Sequence, residues 1–459
     1  MNKTLEKQNI LTRFGEACGS FSLKYMPDAA TFAVIFTIIA FLGGVIVAKQ
    51  TPGQMVGHWY TGFWSLLGFS MQIALGVTTG SAIANHPLIK RWIRAACDKP
   101  KNGPQGAALA CVFGILAHYI HWGLGIIVGA VASLEIARAL RRKGVNFDYG
   151  MIVAAGFTGE MCWHGGLSAS VGLTIAQPGH FLEAEMGVIP FVDYLVNPMN
   201  IILLIAFAVI CPIICYVLHP KEDRCHTLRP ETIAILDAPD TEIHKIDLTN
   251  ASIGDRIAHS KILGYLLAAL GWAYIISRFV TKGFDLDMDL VNAIFLFLGI
   301  ALYGDLTQYV AAVKNSIGGI TGIVFQFPLY GGVLGMVRYS GLVAIIANGL
   351  ASISSPLTFP LITFITAAII NLFVPSGGGQ WAVQGPVSIA AAKLMGADVL
   401  KTSLCVAYGN TWTNMAQPFW AIATLGICGL KAKDIMGYTW AIMLLSGPIF
   451  MLGVTFLPV

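Results

Sequence analysis

The stretch Pro375-Ser376-Gly377-Gly378-Gly379-Gln380-Trp381 lies inside a run, from Leu357 to Ala392, that contains no charged residue. The run is apolar enough to enter a bilayer, yet its middle cannot be a regular helix. Proline removes a backbone donor and clashes with the preceding turn, and three glycines make a helix entropically costly. In lipid, broken backbone is tolerated only where protein or a water-filled cavity supplies hydrogen-bond partners. The break is therefore either a structural bend or the wall of a binding site.

The rest of the chain places this run in a membrane. Its 459 residues are 56% hydrophobic and 11% charged, with a mean hydropathy of +0.71. Soluble domains carry roughly 25% charged residues. Many segments reach the ~20 apolar residues that a spanning helix needs, so the fold class expected is an all-α polytopic membrane protein. Residues 1–24 are polar and mixed in charge, with Lys3, Lys7, Arg13 and Lys24, which does not describe a cleavable signal peptide. The nine cysteines include no C-x-x-C; Cys211 and Cys215, one helical turn apart, read as small buried apolar side chains. There is no HExxH, no G-x-S-x-G and no GxxxxGK[ST]. An enzyme is not expected, nor a metal, a cofactor or a nucleic-acid partner.

Apolar segments occur near 29–49, 64–85, 105–137, 150–178, 199–218, 261–280, 289–303, 317–337, 357–395, 403–430 and 437–457. The polar stretch 219–260, with five Lys/Arg and eight Asp/Glu, reads as a cytoplasmic linker between an N-terminal unit, 1–218, and a C-terminal unit, 261–459. Charge then orients the spans. Lys90, Arg91, Arg94, Lys99 and Lys101 precede the run 105–137, and Arg138, Arg141, Arg142 and Lys143 follow it. Both clusters should be cytoplasmic, so the run must enter the membrane and return. Each leg would have about 16 residues, roughly 24 Å at helical rise, against ~30 Å of hydrocarbon. That suits a re-entrant hairpin turning at His121-Trp122-Gly123-Leu124-Gly125.

A shift of 254 residues takes Gly123 to Gly377, Gly125 to Gly379, Gln72 to Gln326 and Leu88 to Leu342. A shift of 253 takes Gly156 to Gly409, and 252 takes Gly166 to Pro418. The near-constant offset indicates a duplicated unit. Counted from an inside N-terminus, 29–49 runs outward and 289–303 inward. The first hairpin opens to the cytoplasm and the second, 357–395, to the outside. Two inverted repeats, about nine spans and two re-entrant hairpins follow. Lys393 and Lys401 then fall outside, against the charge rule. Inverted repeats with discontinuous helices are a recurring plan of secondary transporters.

Each repeat has a second irregular element, in a span broken by polar residues: Gly159 to Ser170 in the first and Gly409 to Pro418 in the second. Two tips and two breaks would bring four helix N-termini together, each with free N–H groups and about half a positive charge. That suits a small carboxylate without a buried Arg. Unwound carbonyls and Asn, Thr and Ser oxygens could equally hold a cation. Glu160 is the only carboxylate deep in its span, a costly placement in lipid and so a candidate proton carrier or a hydrogen-bonded structural group. His164 lies four residues on, and His118 and His121 flank the first tip. Trp381, Trp412 and Trp420 could line a pocket for an acyl chain or simply pack helices.

The strings Val374 to Pro386 and Ala407 to Trp420 closely resemble the bacterial short-chain fatty acid transporter family, of the AtoE type. So do Pro27-Asp28, Gly62-Phe63-Trp64, Trp122 to Gly125 and Asp434 to Tyr438. The resemblance runs along essentially the whole chain. It implies a multi-pass carrier of the bacterial inner membrane for monocarboxylates such as acetoacetate or butyrate, coupled to H⁺ or Na⁺. The family is distantly similar to a wider ion transporter superfamily, which implies elevator-type alternating access and a homodimer in contact with membrane lipid. The substrate-contacting residues implied are Trp122, Gly123, Gly125, Ser168, Ser170, Ser376, Gly377, Gly378, Gly379, Gln380, Asn410, Thr411, Thr413, Asn414 and Gln417. Candidates for proton or ion coupling are Glu160, His164 and His121. The alternative is a carrier of the same architecture for another organic anion, a dicarboxylate or an amino-acid derivative. The lack of a core Arg favours a substrate with one carboxylate.

Overall fold

A computed structural model describes residues 29–237, 252–284, 286–372, 374–417 and 420–459. Pro27-Asp28, the middle of the 219–260 linker, and Pro418 and Phe419 of the second break lie outside the described residues. Among the described residues every regular element is helical. The first half runs α1 (Ala29–Ile46), α2 (Pro52–Phe63), α3 (Leu67–Ala84), α4 (Pro87–Cys97), α5 (Gly103–Ile120), α6 (Trp122–Arg142), α7 (Tyr149–Phe157), the 3₁₀ turns Thr158–Met161 and Trp163–Gly165, and α8 (Ser170–Ala176). After two short turns, α9 (Glu183–Met186) and α10 (Phe191–Leu195), it ends with α11 (Pro198–Leu218). The linker contributes α12 (Pro230–Asp237) and α13 (Ile253–Ala258). The second half runs α14 (Lys261–Lys282), α15 (Met288–Tyr303), α16 (Leu306–Ser316), α17 (Thr321–Tyr339), α18 (Leu342–Ser352), α19 (Phe359–Asn371), α20 (Gly377–Met395), α21 (Val399–Trp412), the 3₁₀ turn Thr413–Ala416, α22 (Ala421–Cys428) and α23 (Ala432–Phe456).

Among the described residues six helical stretches are long and apolar enough to cross a membrane: α3, α5, α6, α11, the stretch Ile253–Lys282, and α23. Joining α16 and α17 across their 59° bend would make seven. Shorter apolar helices occur at Ala33–Ile46, Met288–Tyr303, Leu342–Ser352 and Phe359–Asn371. The apolar segments read from the sequence leave out the short helices α2, α4, α16 and α18. Caps signal the starts of α2, α4 and α16, the last through Asp305, which accepts from the Thr307 and Gln308 amides, whereas α18 is apolar and starts at Gly341 with no side-chain cap. Thr51 accepts from the Gln54 amide with Pro52 next in line, and His86 accepts from the Leu88 amide ahead of Pro87.

Helix starts recur at a fixed interval. They fall at 52 and 306, 67 and 321, 87 and 342, and 122 and 377, always 254 or 255 residues apart. The packing recurs with them. α3 lies on α6 as α17 lies on α20, and α4 lies on α6 as α18 lies on α20. The helices also sort into two groups. One comprises α1, α2, α3 and α14 to α17. The other comprises α5 to α8, α11 and α19 to α23.

The first hairpin is close-packed because its facing residues are small. A Cβ on Gly106 would meet Ile136 and Leu140, and one on Gly125 would meet His118, so α5 and α6 run antiparallel from a tip at His121. Midway, Cβ atoms on Gly114 and Gly129 would lie 2.3 and 2.4 Å from the carbonyl oxygen of Gly156. Three backbones therefore meet where only hydrogen fits, which lets α7 press onto both legs. The base is polar. Arg94 and Arg138 both pair with Glu135 (3.3 and 2.9 Å), Lys143 donates to the Pro100 carbonyl (3.1 Å), and Arg141 pairs with Asp237 of α12 (3.0 Å). The two basic stretches and the start of the linker thus sit on one face.

Gly114→Ala and Gly156→Ala should each lower the thermal unfolding midpoint in detergent by several degrees, since backbone must move to admit the methyl. Gly57→Ala, which meets nothing within 4 Å, should leave it unchanged or raise it slightly; equal behaviour of all three would contradict the close approach.

Candidate functional site

The four irregular elements converge. The N-terminus of α6 starts at Trp122, with His121 as its N-cap accepting from the Gly123 amide (3.1 Å). The Trp122 amide instead donates to Ser168 Oγ (3.0 Å), which ties the first tip to the first break. The N-terminus of α20 starts at Gly377, with Ser376 accepting from the Gly379 amide (3.2 Å). The amides of Gly377 and Gly378 have no carbonyl one turn earlier in the helix to receive them. All three glycines are required by close neighbours. A Cβ on Gly377 would lie 2.2 Å from His164 Nε2, one on Gly378 would lie 2.6 Å from the Phe69 ring, and one on Gly379 would lie 2.8 Å from Tyr330.

Between them lies a small cavity lined by Ile73, Trp122, Glu160, Trp163, Ser170, Ile323, Ser376, Gly377, Gly378 and Trp420. Its volume of about 20 Å³ is close to what a single water requires. Among the described residues no Lys or Arg lines it. Ser170 Oγ and Trp163 Nε1 are buried without a hydrogen-bond partner, a cost of about 1–3 kcal/mol each unless something in the cavity takes them up. Trp122 packs edge-on against Trp420, with ring centroids 5.3 Å apart, and lies 6.1 Å from Trp163, giving the cavity an aromatic wall.

Behind the cavity runs a continuous chain of buried polar side chains. Glu160, 1% exposed, is reached by His118 Nε2 at Oε1 (3.3 Å) and accepts at Oε2 from Asn414 Nδ2 (3.0 Å). Asn371, the last residue of α19, donates to Asn414 Oδ1 (2.9 Å) and Thr413 Oγ1 (3.0 Å) and accepts from Asn410 (2.8 Å). Asn410 also donates to Gln380 Oε1 (2.7 Å), and Gln380 donates to Gln384 (2.7 Å) and the Ala367 carbonyl (2.8 Å). Gln417 donates to the Asn371 carbonyl (3.2 Å). Glu160 and Asn414 are 254 residues apart, so the first broken span touches the second directly.

Of the residues singled out from the sequence, Trp122, Ser170, Ser376, Gly377, Gly378 and Glu160 line the cavity. Gln380, Asn410, Thr413, Asn414 and Gln417 belong to the polar chain. Gly123, Gly125 and Gly379 shape the tips, and Ser168 holds the first one. Thr411 bonds only to carbonyls of its own helix, Ala407 and Tyr408. His121 packs on Phe295 (4.2 Å between centroids) and caps α6. His164 is fully buried against Gly377 with neither ring nitrogen bonded. His118, Asn371 and Gln384 were missed as site residues. Asn371 had one signal, being the only Asn in its apolar leg.

Asn371→Ala should leave Asn414 Oδ1 with only the long contact to Gln417 (3.5 Å). The orphaned groups should cost about 1–3 kcal/mol each. Thr366→Ala, on the same helix with a bond only to the Ile362 carbonyl, should cost well under that. Similar unfolding midpoints for the two would show that the chain does not support the fold.

Comparison with known proteins agrees with this architecture. Residues 10–457 match the family described as "Short chain fatty acid transporter". A protein of Haemophilus influenzae is 38% identical over 455 residues, covering 98% of this chain and 100% of that relative. One of Escherichia coli is 37% identical over 446 residues, covering 97% and 100%. Both carry provisional names as short-chain fatty acid transporters. Among solved structures, MtrF of Neisseria gonorrhoeae, described as illuminating a class of antimetabolite efflux pumps, superposes with a TM-score of 0.56 at 16% identity, over 96% of each chain. The YdaH transporter of Alcanivorax borkumensis, described as having an unusual topology, gives 0.57 at 15% identity, over 93% of this chain and 97% of that one. The likeness to these two extends to the fold. From the family match and the two full-length relatives together, this multi-pass, all-helical chain belongs to the short-chain fatty acid transporter family.

Proposed function

We propose that the protein is a secondary active carrier of short-chain monocarboxylates such as acetoacetate or butyrate, coupled to a cation, in the bacterial inner membrane. The observation that carries this reading is the cavity itself. Helix starts at Gly377 and Trp122, two unpartnered donors and three tryptophans surround it, and no cationic side chain does. Amide donors at a helix N-terminus suit one carboxylate, and the indole wall suits a short acyl chain. A dicarboxylate would leave its second charge without a partner there.

The recurring helix interval supports two inverted repeats, 1–218 and 261–459 about a linker, with hairpins at α5–α6 and α19–α20 as re-entrant elements. The two helix groups support an alternating-access motion of elevator type, in which the group carrying the site slides against the other, within a homodimer. The cavity is too small for butyrate as it stands, so the tip at Ser376 to Gly379 must move to admit substrate.

Reconstituted protein should accumulate labelled butyrate or acetoacetate when an H⁺ or Na⁺ gradient is imposed; no uptake under either gradient would refute the reading. Ser376→Ala removes the cap that sets the first amides of α20; it should raise the KM for uptake several-fold, with a loss of stability of no more than about 1–2 kcal/mol. An unchanged KM would place the carboxylate elsewhere.

A further inference from the structure

The contact between His118 and Glu160 carries information about a proton. His118 Nδ1 lies 2.8 Å from the carbonyl oxygen of Gly114, one turn earlier in α5. A carbonyl only accepts, so Nδ1 bears the hydrogen. Nε2 of a neutral imidazole is then a lone pair, yet it faces Glu160 Oε1 at 3.3 Å, with both side chains buried to within 1%. Two acceptors do not approach each other in a dry interior. The contact requires one further proton, placed either on Nε2 as imidazolium facing carboxylate or on Oε1 as carboxylic acid facing imidazole. Both arrangements are neutral overall. Glu160 Oε2 is already occupied by the Asn414 amide (3.0 Å), which leaves the contact between Nε2 and Oε1 as the place where the proton sits.

Among the described residues neither member pairs with a Lys, Arg or Asp. His121 at the hairpin tip neighbours His118, Cys162 on the first break neighbours Glu160, and His164 follows on the same break. Cys162 Sγ donates to the Gly159 carbonyl (3.2 Å). Loss of the proton would leave a net negative charge on the pair, at the wall of the same cavity that Glu160 shares with the amides of Gly377 and Gly378.

We propose that His118 and Glu160 together form a proton-binding site, and that the coupling ion of this carrier is a proton held between Nε2 and Oε1. The proposal rests on the carrier reading above and names its ion. A carboxylate entering the cavity is repelled by the deprotonated pair and tolerated by the protonated one, so substrate and proton bind each other's state by linkage. The proton comes from water on the side where substrate enters and leaves to water on the other side. One proton with one monocarboxylate moves no net charge, so transport is electroneutral symport. The His118 ring on the hairpin and Asn414 on the second break meet at Glu160, so the proton also governs how the two halves close.

The test uses purified full-length protein in Na⁺-free solution. Infrared difference spectra against pH read the pair directly without substrate, and a pH indicator reads proton uptake on adding butyrate. The wild type should show a titrating carboxyl or imidazolium signal that Glu160→Gln removes and His118→Gln displaces. Above the pH at which the pair loses its proton, each butyrate bound should take up one proton and its apparent affinity should fall about tenfold per pH unit. A wild-type pair that is proton-free, or never loses its proton, at every pH overturns the proposal. So does butyrate binding that requires Na⁺ and takes up no proton. A pair that titrates as expected while butyrate fails to bind supports the proton site and refutes the short-acid reading instead.

Discussion

A hydrogen bond from Asn414 Nδ2 to Glu160 Oε2, 3.0 Å long and fully buried, joins the two halves of the chain where the helices of both are broken. Broken helices in an apolar body leave amides and carbonyls that lipid cannot satisfy, at a cost of several kcal/mol for each unmet group. Each break here is met by the other elements. The turn at Thr158–Met161 packs on the turn at Thr413–Ala416, Asn371 closes the second hairpin onto the second break, and Ser168 closes the first break onto the first tip. The two residues meet because the two broken spans pack turn against turn.

The same constraint explains the glycines and the amides. The tips must approach His164, Phe69 and Tyr330 more closely than a Cβ permits, so glycine stands at 377, 378 and 379. The polar chain behind the cavity is built of Asn and Gln, which bond without adding charge. Its one carboxylate is held by an amide and an imidazole. Apolar surroundings and a neutral network make the few charge-bearing groups decisive, because a charge gained or lost there has little solvent to disperse it.

Much of this was legible in the sequence. The Pro-Ser-Gly-Gly-Gly run located the second tip, Trp-Gly-x-Gly located the first, and the offset between them matches the spacing of helix starts at 122 and 377. Glu160, as a lone carboxylate in an apolar span, pointed to the cavity. Partnership was not legible. His118 and His121 flank the same tip, and only the helical phase of α5 turns His118 toward Glu160 while His121 leaves the helix to cap α6. Asn371 ends an apolar leg, and its role depends on contacts to residues 39 to 43 positions later. The short helices α2, α4 and α16 are not legible from apolar runs because caps set their starts, and α18, at 11 residues, is too short to read as a span.

The central claim is that a carboxylate binds where the helix breaks meet. The most direct measurement is a structure of the protein with a bromine-labelled butyrate, located by its anomalous signal. The carboxylate should lie against the amides of Gly377 and Gly378, with the bromine between Trp122 and Trp420. A carboxylate bound instead to a surface Lys or Arg, with the cavity between the two tips unchanged, would contradict it.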